Sequence, residues 1–122
     1  MVVEFTIKGE LPTMNEIVAA SKKHHMAYAN MKKDYTTLVR IHARNLPKVD
    51  KSDFVIKWYC KDKRVDKDNH MAGQKFIFDG LVAAKVISND GWSEIGNVSH
   101  WFEVDKQNPR VEVSIIEVNM AN

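Results

Sequence analysis

Asp53-Phe54-Val55-Ile56-Lys57-Trp58-Tyr59-Cys60-Lys61-Asp62-Lys63-Arg64-Val65-Asp66-Lys67-Asp68-Asn69 reads in two halves. In the first, Phe54, Ile56, Trp58 and Cys60 fall on one face, with Val55, Lys57 and Tyr59 on the other. Aromatic and β-branched residues at period two predict a strand, the best supported in the chain. The second half is charged and runs out from that strand's C-terminal end, delivering Asp66 and Asp68 there. In sheets flanked by helices, sites collect at such ends.

Downstream, Asp68 or Asn69 is expected to cap a helix over roughly 70–85, with Ile77, Leu81 and Ala84 as its buried row. On a helix Asp68, Lys75 and Asp79 share a face, Lys75 and Asp79 being neighbours at i,i+4. Gly73 and Gly80 each weaken this helix by about 1 kcal/mol relative to alanine, and they permit close approach of another backbone or of a nucleic-acid strand. Asn89-Asp90-Gly91 is a turn, expected to bring Asp90 to the other carboxylates. Val98, His100, Phe102 and Val104 alternate, Asp105–Pro109 turns, and Val111, Val113 and Ile115 alternate again. This predicts a terminal hairpin, followed by a frayed tail at Asn119–Asn122.

Upstream, Val3, Phe5 and Ile7 alternate with Glu4, Thr6 and Lys8 and predict a half-buried strand, ended by Gly9-Glu10-Leu11-Pro12. Thr13-Met14-Asn15-Glu16 matches a capping box and starts a basic amphipathic helix expected to run to Arg44. His24 and His25 would point to different faces of that helix, which disfavours a shared metal and leaves them as surface histidines in a basic patch. The sum is an α+β fold: one domain over residues 1–122, with a mixed sheet of about four strands and two main helices packed on it.

The chain of 122 residues is long enough for one real core. A single cysteine, Cys60, excludes an internal disulfide and, by count, a Cys-based zinc site; it reads as a small core hydrophobe. No apolar run approaches spanning length and no signal-peptide pattern is present, so the expectation is a cytoplasmic protein with no membrane partner. The net charge of +2 hides an asymmetry. Residues 11–49 carry seven basic against two acidic residues, a net +5, whereas residues 86–122 carry two against six, a net −4. A basic front of this kind points to a polyanion, although on charge alone a plain charged helix surface is the slightly better account.

Asp66, Asp68 and Asp90 with Lys75 nearby are the residue types that metal-assisted phosphoryl transfer needs. Mg²⁺ takes hard oxygen ligands, commonly one or two carboxylates with waters and substrate phosphates. The plain structural alternative is a solvated loop capping a helix.

The ordered set Arg64-x-Asp66-x-Asp68-Asn69, Lys75-x-x-x-Asp79-x-Leu81 and Asp90 resembles the RusA family of Holliday junction resolvases, endonucleases of phages and prophages. The entry Leu11-Pro12-x-Met14-Asn15-Glu16 and the stretch Asn108-Pro109-Arg110-Val111-Glu112-Val113 are similar to phage members, so the resemblance spans essentially the whole chain. Two features depart from the family's pattern: a longer gap from Asn69 to Lys75, and Asn89 in place of the first of two aspartates at the last position. The resemblance implies a homodimer with two equivalent sites in the cytoplasm of a bacterial host, making paired nicks in branched DNA with Mg²⁺, or with Mn²⁺ in its place. Carried over, Asp66, Asp68 and Asp90 hold the metal, Lys75 is catalytic, and Asn69 and Asp79 support them. Lys22, Lys23, Lys32, Lys33, Arg64 and Lys67 are the expected phosphate contacts. A non-catalytic basic dimer that binds branched DNA is the competing class. A small-nucleotide phosphohydrolase lacks any Gly-rich phosphate loop to support it.

Overall fold

The computed structural model describes residues 1–118. In chain order the elements are β1 (Val2–Lys8), α1 (Met14–Lys23), α2 (His25–Ala43), β2 (Ser52–Cys60), α3 (Lys67–Met71), α4 (Gln74–Ala83), β3 (Ile95–Val104) and β4 (Arg110–Glu117). The four strands form one mixed sheet in the order β1-β4-β2-β3. β4 is antiparallel to both β1 and β2, and β3 is parallel to β2. This is the expected α+β single domain. The frayed tail expected at Asn119–Asn122 lies outside the described residues. No helix among the described residues is long and apolar enough to cross a membrane.

Period-two burial appears where the alternation predicted it. Val3, Phe5 and Ile7 of β1, Val111, Val113 and Ile115 of β4, and Phe54, Ile56, Trp58 and Cys60 of β2 all face the core. Val39 and Ala43 of α2 and Ile77, Phe78 and Leu81 of α4 join the same cluster. Burying each large apolar side chain is worth about 1.5–3 kcal/mol, which is why the most apolar strand occupies a central position.

The expected terminal hairpin does not form. β3 and β4 each pair with β2, on opposite sides: Ile56 lies opposite His100 on one side and Val113 on the other. Asp105 N donates to Cys60 O at 2.8 Å, so residues 105–109 cross over the end of β2 before β4 returns. Alternation reports which face of a strand is buried and is silent about its neighbour. The link therefore spans two strand spacings, about 10 Å, where a hairpin turn spans one.

Both expected long helices are interrupted. The first breaks at His24, which is extended (φ −168°, ψ 140°) and accepts from Met26 N through Nδ1 as the N-cap of α2. The apolar ladder of this segment skips from Ser21 to Tyr28, and α1 buries no residue. With His24 extended ahead of α2 and His25 its first residue, the two rings stack at 4.7 Å instead of diverging. The second helix starts earlier than expected, at Lys67 with Asp66 as N-cap, and breaks at 72–73. Gly73 is buried there, and a Cβ on it would lie 2.9 Å from Leu11 Cβ and 3.2 Å from the Trp58 ring. Gly80 likewise admits Val39 of α2 against α4. Both glycines serve internal packing.

Candidate functional site

At the C-terminal end of β2 the chain leaves the sheet through a charged turn, in which Arg64 N donates to Asp62 Oδ1 at 3.0 Å. The Arg64 guanidinium is exposed and 3.8 Å from Asp62, a pair of negligible energy. Asp66 is extended, and its backbone oxygen takes the first amides of α3, from Asn69 at 3.1 Å and His70 at 3.3 Å. Its carboxylate makes no capping bond. Asp68 is exposed one residue into α3, where its Oδ1 accepts from Asn69 N at 3.0 Å.

An open cleft of about 710 Å³ lies between this turn, α3 and the end of β3. Its floor includes Cys60, Val65, Phe102 and Val104, and its rim Asp62, Lys63, Asp66, Lys67 and Glu103. Lys67 Nζ stands 5.7 Å from the centre of the Phe102 ring, a weak cation–π contact. Of the residues expected from sequence, Asp66 and Lys67 line this cleft. Lys22 and Lys23 are exposed in the last turn of α1, which packs against α3, and Lys32 and Lys33 are exposed on α2.

Lys75 and Asp79 meet as the spacing predicted, with Nζ 3.8 Å from Oδ2. That distance is beyond hydrogen bonding, so the buried Oδ2 has no hydrogen-bond partner among the described residues and is held by charge alone. Asp68, on α3, is separated from Lys75 and Asp79 on α4 by the break at 72–73, so the three do not share one continuous helix face.

Asp90 is not brought to Asp66 and Asp68 within one chain. The β2–β3 connection returns the chain along the whole sheet, because parallel neighbours require a crossover. The register runs from Ser52 opposite Ile95 to Cys60 opposite Val104. Asp90 precedes the turn in which Ile95 N donates to Gly91 O at 2.9 Å and Ser52 N to Glu94 O at 3.0 Å. It therefore lies at the start of β3, and Asp66 beside its end. Among the described residues, Asp66, Asp68 and Asp90 do not form a group whose ligand atoms lie within 4.8 Å of one another.

Asp66 and Asp68 alone suit Mg²⁺ or Mn²⁺, as hard oxygen donors with open faces toward solvent. One donor group does converge: Glu10, Cys60 and His70, with ligand atoms all within 4.8 Å. Glu10 Oε2 accepts from Lys61 N at 3.3 Å, and Cys60 and His70 are buried. Burial, then the charges of Glu10 and Asp62, push the Cys60 thiol above its ordinary value. Without an ion it is a neutral core group. With a mixed nitrogen, oxygen and sulfur set, the ion it suits is Zn²⁺ and not Mg²⁺. The cysteine count hid this group, because its members come from three distant parts of the chain.

Beside the cleft, Trp58 Nε1 donates to His100 Nδ1 at 3.0 Å, which places the proton of the neutral ring on Nε2. Burial holds the His100 pKa below its ordinary value. On the opposite face of the sheet, Arg110 lies 3.8 Å over the Tyr59 ring, bound to Asp105 at 2.8 Å and Glu112 at 2.9 Å. Its charge is thereby committed to the fold.

No family model matches the chain, and no curated protein matches it.

Proposed function

We propose that this protein is a metal-dependent, structure-specific endodeoxyribonuclease that cuts branched DNA of the four-way junction type. One observation carries the reading: the ordered set Asp66-x-Asp68-Asn69, Lys75, Asp79 and Asp90, in which Asp66, its carboxylate free of any capping bond, lines an open cleft with lysines on its rim and Asp68 is exposed two residues further along. Asp66 and Asp68 would hold the Mg²⁺. The ion, when bound, supplies a water of lowered pKa and a polarised scissile phosphate, leaving a 5′-phosphate and a 3′-hydroxyl. Lys75, steadied by Asp79, offsets charge that develops on the phosphoryl oxygens. Lys63, Arg64 and Lys67 take the backbone phosphates beside the site, and Lys22, Lys23 and Lys32 extend the track. These contacts position DNA without reading bases, so affinity falls steeply with salt.

The test is cleavage of a labelled four-way junction, against a matched linear duplex, with Mg²⁺ or with EDTA. Mg²⁺-dependent nicks in the junction alone, lost in Asp68→Asn while binding persists, are expected. The dispersal of Asp90 favours a second reading, a non-catalytic basic module that binds branched DNA. Junction binding with no cleavage under any metal, unaffected by Asp68→Asn, would establish that reading instead.

A further inference from the structure

We propose that Glu10, Cys60 and His70 bind one Zn²⁺ ion, with a water as its fourth ligand, and that this ion fastens α3 to the end of the sheet. The site is separate from the endonuclease reading, whose ion belongs to Asp66 and Asp68.

α3 needs a fastening. It has five residues, far fewer than the roughly 12–15 at which an isolated helix is even marginal in water, so its inner face must hold it. That face offers one buried residue, and it is His70, where packing alone favours an aliphatic side chain. Cys60 at the end of β2 and Glu10 in the loop after β1 bring their ligand atoms to within 4.8 Å of the His70 ring and of each other.

The three groups converge without satisfying one another. Among the described residues the ion pairs are Arg64–Asp62, Lys75–Asp79 and Arg110 with Asp105 and Glu112, which leave Glu10 and His70 out. The hydrogen bonds here are long, from Lys61 N to Glu10 Oε2 at 3.3 Å and from Cys60 Sγ to Trp58 O at 3.8 Å, and none uses the His70 ring. A void of about 10 Å³, lined in part by all three residues, has roughly the room of one water. Tetrahedral Zn²⁺ with these donors sets the ligand atoms about 3.4–3.6 Å apart, a contraction that side-chain rotation can supply.

Charge balances too. Binding converts the Cys60 thiol to a thiolate, its proton passing to bulk water. Two negative ligands then offset the ion, and His70 stays neutral, which makes a buried ion tolerable. Arg110, beside the void, is already held by Asp105 and Glu112. Cys60 and His70 also line the larger cleft, the path for ion and water, where Lys63 and Lys67 share the lining with Asp62, Asp66 and Glu103.

The test uses the full chain, stripped with EDTA, dialysed and titrated with Co²⁺ and then Zn²⁺. One Co²⁺ per chain, with visible bands of a tetrahedral ion and a sulfur-to-cobalt charge-transfer band that Zn²⁺ abolishes, is expected. Cys60→Ser removes the charge-transfer band. Glu10→Gln, in a loop and only half-buried, keeps the fold and weakens Zn²⁺ binding by roughly 10-fold or more, since even outer partners of a metal site are worth that much. Amides of Asn69, His70 and Gly73, bonded within this segment, exchange about 10-fold more slowly with Zn²⁺ and are unmoved by Mg²⁺. Asp68→Asn binds Zn²⁺ as wild type does, so failure of the endonuclease reading leaves the site standing. A wild type without the charge-transfer band, full Zn²⁺ affinity in Glu10→Gln, or α3 exchange unchanged by saturating Zn²⁺ overturns the proposal. So does loss of the ion in a His24→Ala, His25→Ala double variant, which would assign it to the stacked surface pair.

Discussion

Replacing Gly80 with alanine puts a methyl group where α2 already sits. A Cβ on Gly80 overlaps Val39 Cβ and Cγ1 and comes within 3.2 Å of the Arg40 backbone nitrogen. Val39 is wholly buried and β-branched, with one favoured rotamer in a helix, so it cannot swing aside. The two helices must part instead. Overpacking of this kind costs about 1–3 kcal/mol, and contact with two atoms of a stiff side chain places it near the top of that range. Alanine returns about 1 kcal/mol of helix propensity. The expected net loss is about 1–2 kcal/mol, a fall in Tm of roughly 4–8 °C for a chain of this size. Urea unfolding followed by far-ultraviolet circular dichroism reads it directly. Val39→Ala alone leaves a cavity and destabilises by its own amount. In the double variant the overlap with Val39 Cγ1 is gone while that with the Cβ at position 39 remains, so its loss should fall short of the sum of the single losses by part of the overlap cost. A Gly80→Ala protein more stable than wild type, or strict additivity in the double variant, would falsify the close helix crossing. The crossing bears on function because Lys75 and Asp79 ride on α4.

His100 has a folded-state pKa below its ordinary value, so between the two values the unfolded chain binds more protons. Stability is full above about pH 6.5 and declines as pH falls toward the folded value. Urea midpoints at pH 7.5 and 5.5 should therefore differ more for wild type than for His100→Gln; equal differences would show that burial of this ring is not felt. Cys60, buried and with its pKa raised, should react with a thiol reagent only as the protein unfolds. Rapid reaction of native protein would mean that the end of β2 is open.

What local chemistry specifies was legible without a structure. The alternation of Phe54, Ile56, Trp58 and Cys60 is a β2 burial pattern. The Thr13–Glu16 capping box forms, with Thr13 N donating to Glu16 Oε1 at 3.1 Å and Glu16 N to Thr13 Oγ1 at 3.3 Å. The Lys75–Asp79 pair follows from helix spacing. Each of these depends on residues within a few positions of one another. The tertiary structure decided the rest. It put β2 between β3 and β4, broke one helix at His24 and another beside Leu11 and Trp58, and gathered Glu10, Cys60 and His70 from three segments. Above all it carried Asp90 to the far end of β3. Sequence order records that a carboxylate follows a helix, but the length of that helix and the parallel pairing beyond it determine where the carboxylate lands. Which strand lies beside which is settled by competition for the buried centre of the sheet, and no window of a few residues contains that information.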